Sequence, residues 1–255
     1  DHAGKGFWIY NGGKEYVLSY ENNDVSNIID FKGYAYKREK SDISGASMTT
    51  YDPSKPEIWK IPLRDQVKPK ITVRAPLKGY FVPPSHAGWV AEKLRLHGVR
   101  FEILKKARPL AEVEAFRATE TEFGKQSYEA RLQLKVKGAW AVERREIIAG
   151  SLFVPIAQPA AQVVLHLFEP MAPDSFLAWG FFNSAFERKE YMEGYVTEVV
   201  AREMLSKDAA IKAEFEKKLS DDKAFKDNPS KRLDFFYQKH PSWDERFNLY
   251  PVFRS

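Results

Sequence analysis

The spacing of apolar residues changes twice along this chain, and those two changes constrain its fold more than any other feature. Up to about residue 75, short apolar and aromatic runs are punctuated by Pro53, Pro56, Pro62 and Pro69. Proline removes a backbone donor and clashes with the preceding helical turn, so helices are kept out of this stretch. Phe7–Tyr10, then Asn11-Gly12-Gly13, then Tyr16–Tyr20 has the pattern of a hairpin, with an Asn-Gly pair suited to a tight turn. Further strands are predicted near residues 28–36, 58–61 and 71–73.

From about residue 76 the pattern becomes mixed. Tyr80-Phe81-Val82 reads as a strand ended by Pro83-Pro84, with Ser85 as the cap of a helix that carries Val90, Ala91 and Leu94 on one face. Gly98 closes that helix, and Val99, Phe101 and Ile103 then alternate with charged residues, completing a β-α-β unit. Residues 127–149 predict a hairpin with Gly138 at the turn and Trp140 and Val142 opening the return strand. Leu152–Pro155 leads into a helix over roughly 159–169. Phe-Val-Pro occurs at 81–83 and again at 153–155, which suggests two similar strand ends in one mixed sheet.

Between Asp174 and His240 the spacing becomes helical. Met192, Tyr195, Val196 and Val199 step by three and four, as do Ile211, Phe215 and Leu219. Asn228-Pro229 opens the last helix and Pro241 stops it. The expected class is α+β: a β-rich segment over 1–75, then a domain over 76–255 with a small mixed α/β sheet and a helical C-terminal part.

Composition narrows the function classes. The hydrophobic fraction of 44% supports a real core, and no apolar run reaches the length of a membrane span. The absence of cysteine excludes disulfides, thiolate catalysis and Cys-zinc sites. The net charge of +5 is spread through the chain and interleaved with acids, unlike the basic stripe of a nucleic-acid binder. Lys32–Tyr36 matches half of an RNA-recognition octapeptide, but Lys37-Arg38-Glu39 lacks the remaining apolar positions, so an edge strand with aromatic packing is favoured. Residue 1 is Asp and no signal-like segment follows, so a processed or excised chain is expected.

The candidate chemistry is thin. His166 and Glu169 share a helical face, yet a zinc site needs a further ligand and a base, and downstream there is only His240. Ser85 and His86 are adjacent, which is not a nucleophile–base geometry. No nucleophile elbow, phosphate loop or dinucleotide fingerprint is present. No catalytic or metal-binding residue is therefore assigned. Phe186–Tyr191 crowds four charges into a turn and a half of expected helix, read as a solvated face or as a cluster gripping a neighbouring domain.

Several stretches carry a resemblance. They include Ile29–Tyr34, Trp59–Asp65, Gly79–Pro84, Ala149–Pro159, Glu169-Pro170 with Ala172–Ser175, Phe186–Met192 and His240–Arg246. Together they resemble the region that follows the catalytic domain in bacterial zinc carboxypeptidase-like proteins. The resemblance implies a secreted or periplasmic parent peptidase whose zinc is held in the preceding domain, and an accessory role for this region. Trp179, Phe182 and Phe186, on a helix expected to open after Asp174, would then meet that catalytic domain, with Glu187 and Lys189 beside them. Self-association of the fragment through the same face is the corollary. The alternative is an autonomous peptide- or glycan-binding module that uses exposed aromatics.

Overall fold

The computed structural model describes residues 11–255, and within them the chain is α+β. It divides into two compact units, Gly13–Ala75 and Pro76–Ser255, the latter taking in the segment that ends at Gly12. The Phe7–Tyr10 half of the expected first hairpin lies outside the described residues.

In the smaller unit, β1 (Glu15–Asn22) pairs antiparallel with a later strand, β4 (Val67–Arg74). Between them, β2 (Asn27–Lys40) and β3 (Ser47–Leu63) form a long antiparallel hairpin. β3 runs through both Pro53 and Pro56. Both strands of a two-stranded sheet are edges, where a missing donor is tolerated. A register shift also falls there, between Tyr34 and Ala35, and the extra residues turn on the Asp52 carboxylate, which accepts from the Ser54 amide at 3.0 Å.

The larger unit is built on a six-stranded sheet. Its strands are β5 (Gly79–Val82), β6 (Glu102–Ile103), β7 (Arg108–Phe123), β8 (Leu134–Ile147), β9 (Leu152–Pro155) and β10 (Leu249–Arg254). They lie in the order β6-β9-β5-β10-β7-β8 with every neighbouring pair antiparallel. β5 and β6 flank β9 and so run parallel to each other, joined by α1 (Pro84–Leu96), which buries Val90, Ala91 and Leu94. Ser85 is not the cap of that helix. Pro83 occupies the cap position and Pro84 the first turn, where a missing N–H costs nothing. The two Phe-Val-Pro segments are partners: Phe81 stands directly opposite Phe153, with ring centroids 5.0 Å apart.

Gly138 is not a turn. It lies inside β8 opposite Ala118, and the reversal between β7 and β8 falls near Tyr128 and Arg131 instead. A Cβ at residue 138 would collide with the Arg117 carbonyl and the Phe116 ring, so the glycine marks a close approach of two strands.

One face of the sheet is covered by helix. Tyr80 stacks on Phe168 of α2 (Ala161–Phe168) at 5.2 Å, and Trp89 of α1 packs against Phe176, Phe181 and Phe182. The other face carries Phe81, Val113 and Ile147, with Phe153 and Phe253 packed beside them.

Beyond residue 193 come α3 (Gly194–Lys207), α4 (Ala209–Asp221), α5 (Lys223–Lys226) and α6 (Pro229–Tyr237). Ala201, Phe225, Phe235 and Phe236 form their core, and Ile211, Phe215 and Leu219 pack against it. Asp208 and Asn228 cap α4 and α6 through their side chains. The stripe expected from Met192, Tyr195, Val196 and Val199 is not the buried face. Tyr195 and Val199 are exposed, because α3 turns Thr197, Ala201, Met204 and Leu205 inward. Among the described residues no helix is long and apolar enough to cross a membrane.

Candidate functional site

The stretch from Asp174 to Glu193 is not helical apart from a 3₁₀ turn at Asn183–Ala185. Pro170 and Pro173 interrupt the chain before it, and Gly180 adopts a φ of 74° against the Leu132 carbonyl, a conformation a continuing helix cannot accommodate. The expected aromatic docking face is thus taken apart. Phe182 is buried against His86, Trp89 and Tyr250, and Phe186 is buried as well. Trp179 is half-buried, stacks near Tyr128, and donates to Asp174 at 3.2 Å. Only Glu187 and Lys189 remain exposed. Between them, Arg188 grips α6: it donates to both oxygens of Asp234 at 2.8 and 3.2 Å and lies over the rings of Tyr237 and Trp243.

Glu187 and Lys189 instead form one wall of a cleft of about 800 Å³ in the larger unit. Phe81, Phe253, Ile147 and Pro251 give it an apolar floor on the sheet face away from α2. A second wall, the end of β8, contributes Arg145 and Glu146, and a third, the loop before β10, contributes Asp244 and Arg246. Each wall supplies one cation and one carboxylate.

Of the six charges, one is ion-paired and one accepts a backbone hydrogen bond. Glu143 holds the Arg145 guanidinium, and Asp244 Oδ1 accepts from the Arg246 amide at 2.9 Å. Burial pushes the Glu143 carboxyl up, but the hydrogen bonds of Arg117 and Arg145 outweigh it and hold the group below its ordinary range. Lys189, Arg246, Glu146, Glu187 and Asp244 make no ion pair among the described residues.

His86, in the first turn of α1, closes one end of the cleft. Burial holds its imidazole below the ordinary histidine range, so the ring is neutral near pH 7. Its Nδ1 accepts from the Trp89 indole at 3.3 Å, which leaves the proton on Nε2 as a donor. Ser151 is 2% exposed and also lines the cleft.

The His166-x-x-Glu169 pair does not assemble a metal site. Glu169 is buried and already committed: its carboxylate accepts from Arg254, from the Tyr80 hydroxyl and from Trp140 Nε1. No group of three or more His, Cys, Asp or Glu able to hold a metal occurs among the described residues.

The smaller unit presents a second surface of note. Phe31 stands opposite Trp59, and Tyr36 opposite Tyr51. The Phe31 and Trp59 rings lie 6.1 Å apart at 23°, and Trp59 also contacts Tyr36 and Tyr51 at 5.6 and 6.1 Å. Gly33 makes this possible, since a Cβ there would occupy the space of the Trp59 indole. Phe31, Tyr36 and Tyr51 are exposed, and the buried Trp59 Nε1 has no acceptor among the described residues. Lys32–Tyr36 thus lies in a hairpin strand whose Tyr36 packs against other rings.

No family model, curated protein or solved structure matches the chain.

Among the residues of interest, sequence reasoning missed Arg145, Glu146, Asp244 and Arg246. The signal was present in the tail, where Asp244 and Arg246 repeat the acid–base spacing of Glu187 and Lys189.

Proposed function

We propose that this chain is a non-catalytic accessory region of a zinc carboxypeptidase-like peptidase, and that it packs on the catalytic domain of that protein. The observation that carries the reading is the aromatic face of the β2–β3 hairpin. An isolated two-stranded hairpin is marginally stable in water, and this one leaves Phe31, Tyr36 and Tyr51 about half exposed around a Trp59 donor with no acceptor. Interface cores favour aromatics in this way. The resemblance of Ile29–Tyr34 and Trp59–Asp65 to the peptidase C-terminal region falls on the same two strands. In this reading zinc belongs to the preceding domain, this chain contributes no ligand to it, and the protein is secreted or periplasmic.

The test is to mix the chain with the zinc carboxypeptidase domain of its parent protein, expressed separately, and to weigh the product by size exclusion with light scattering. A one-to-one complex that Trp59→Ala weakens is expected. Two unchanged separate species, or self-association of the chain alone through this face, would overturn the reading.

A further inference from the structure

The cleft in the larger unit is built for a ligand that carries both signs of charge. We infer that it binds a short peptide, or the end of one, with an apolar side chain set between an ammonium and a carboxylate. This inference stands apart from the accessory role and requires no catalytic domain.

Three observations carry it. The first is size: about 800 Å³ lies within the range of small-ligand sites, and the Phe81–Phe253 floor offers apolar surface for one side chain. The second is the charge pattern. Lys189 and Arg246 share the cleft with Glu146, Glu187 and Asp244, none of them ion-paired among the described residues. A site for phosphate or another polyanion would carry an excess of cations, and a site for a metal would carry an excess of carboxylates. Cations and carboxylates side by side on every wall match a dipolar ligand. The third is the pair of polar side chains, Ser151 and His86, that line the cleft beside this floor. Ser151 brings a hydroxyl to the cleft lining, and neutral His86 presents Nε2–H. Both suit the amide and carboxylate oxygens of a peptide, and a neutral imidazole adds no charge to upset the balance.

Calorimetric titration of the full chain with the dipeptide Phe-Leu tests this, with N-acetyl-Phe-Leu-amide and tripolyphosphate as comparison ligands. Saturable binding of the free dipeptide is expected, weakened about tenfold or more when both ends are blocked, since each end then loses a charge-assisted hydrogen bond. Lys189→Glu and Arg246→Glu are each expected to weaken binding by about tenfold. Both positions are exposed, so the variants should melt like the parent. Ser151→Ala is expected to give a smaller loss, and Lys212→Glu on α4 none. The inference is overturned if the dipeptide does not saturate or the blocked form binds equally well. It is also overturned if tripolyphosphate binds more tightly, or if the two cleft variants bind like the parent.

Discussion

Arg254 and Glu169 form a buried ion pair that ties the last strand to the end of α2. Arg254 Nε donates to Glu169 Oε1 at 3.0 Å, its Nη2 reaches Oε2, and its guanidinium lies 4.2 Å from the Trp140 ring centroid. Tyr80 and Trp140 supply the carboxylate's remaining donors. Four elements of the larger unit therefore converge on one carboxylate, and every partner comes from the helix-covered side of the sheet.

Removing one partner of such a pair strands a charge. Arg254→Met is expected to destabilise the larger unit by about 3–5 kcal/mol in urea unfolding. Glu169→Leu combined with Arg254→Met should cost less than the sum of the single changes, because no unpaired charge is left. An Arg254→Met protein as stable as the parent would show that the pair contributes nothing.

His86 predicts a pH dependence with a definite sign. Its folded-state pKa is lowered by burial, so the unfolded chain binds a proton more readily. The contribution to stability is complete above the ordinary histidine value of about 6.5. It is lost as pH falls from there toward the depressed folded value. Urea midpoints measured between pH 7.5 and pH 5 (about one unit or more either side of that value) should therefore fall less in His86→Gln than in the parent. Parallel curves would contradict this.

Gly138→Ala is expected to cost about 1–3 kcal/mol, because the new methyl would meet the Arg117 carbonyl. The damage should be local, seen as faster amide exchange in β7 and β8 next to the Phe116–Trp140 contact. An unchanged exchange pattern would mean the two strands can separate there at no cost.

Elements set by local pattern were legible in the sequence. The faces of α1 and α4, the cap of α6 and the strand at Tyr80–Val82 all follow from spacing or from capping chemistry. What was hidden depends on distant partners. Gly138 looks like a turn until Arg117 is placed beside it. Phe182 and Phe186 look like a helix face until Gly180 and the neighbouring prolines turn the chain and send both rings into the core. The cleft joins wall residues from 145–146, 187–189 and 244–246, which no local window can bring together. The aromatic face of the smaller unit was half visible. Lys32–Tyr36 showed its rings, but their partners Tyr51 and Trp59 required the hairpin register.

The most direct test of the accessory role is hydrogen exchange across Asn27–Leu63, measured on the chain alone and in the presence of the zinc carboxypeptidase domain of its parent. The account predicts slowed exchange around Phe31, Tyr36, Tyr51 and Trp59 when that domain is added, and loss of the slowing in Trp59→Ala. Exchange in the hairpin that is identical with and without the catalytic domain would contradict it.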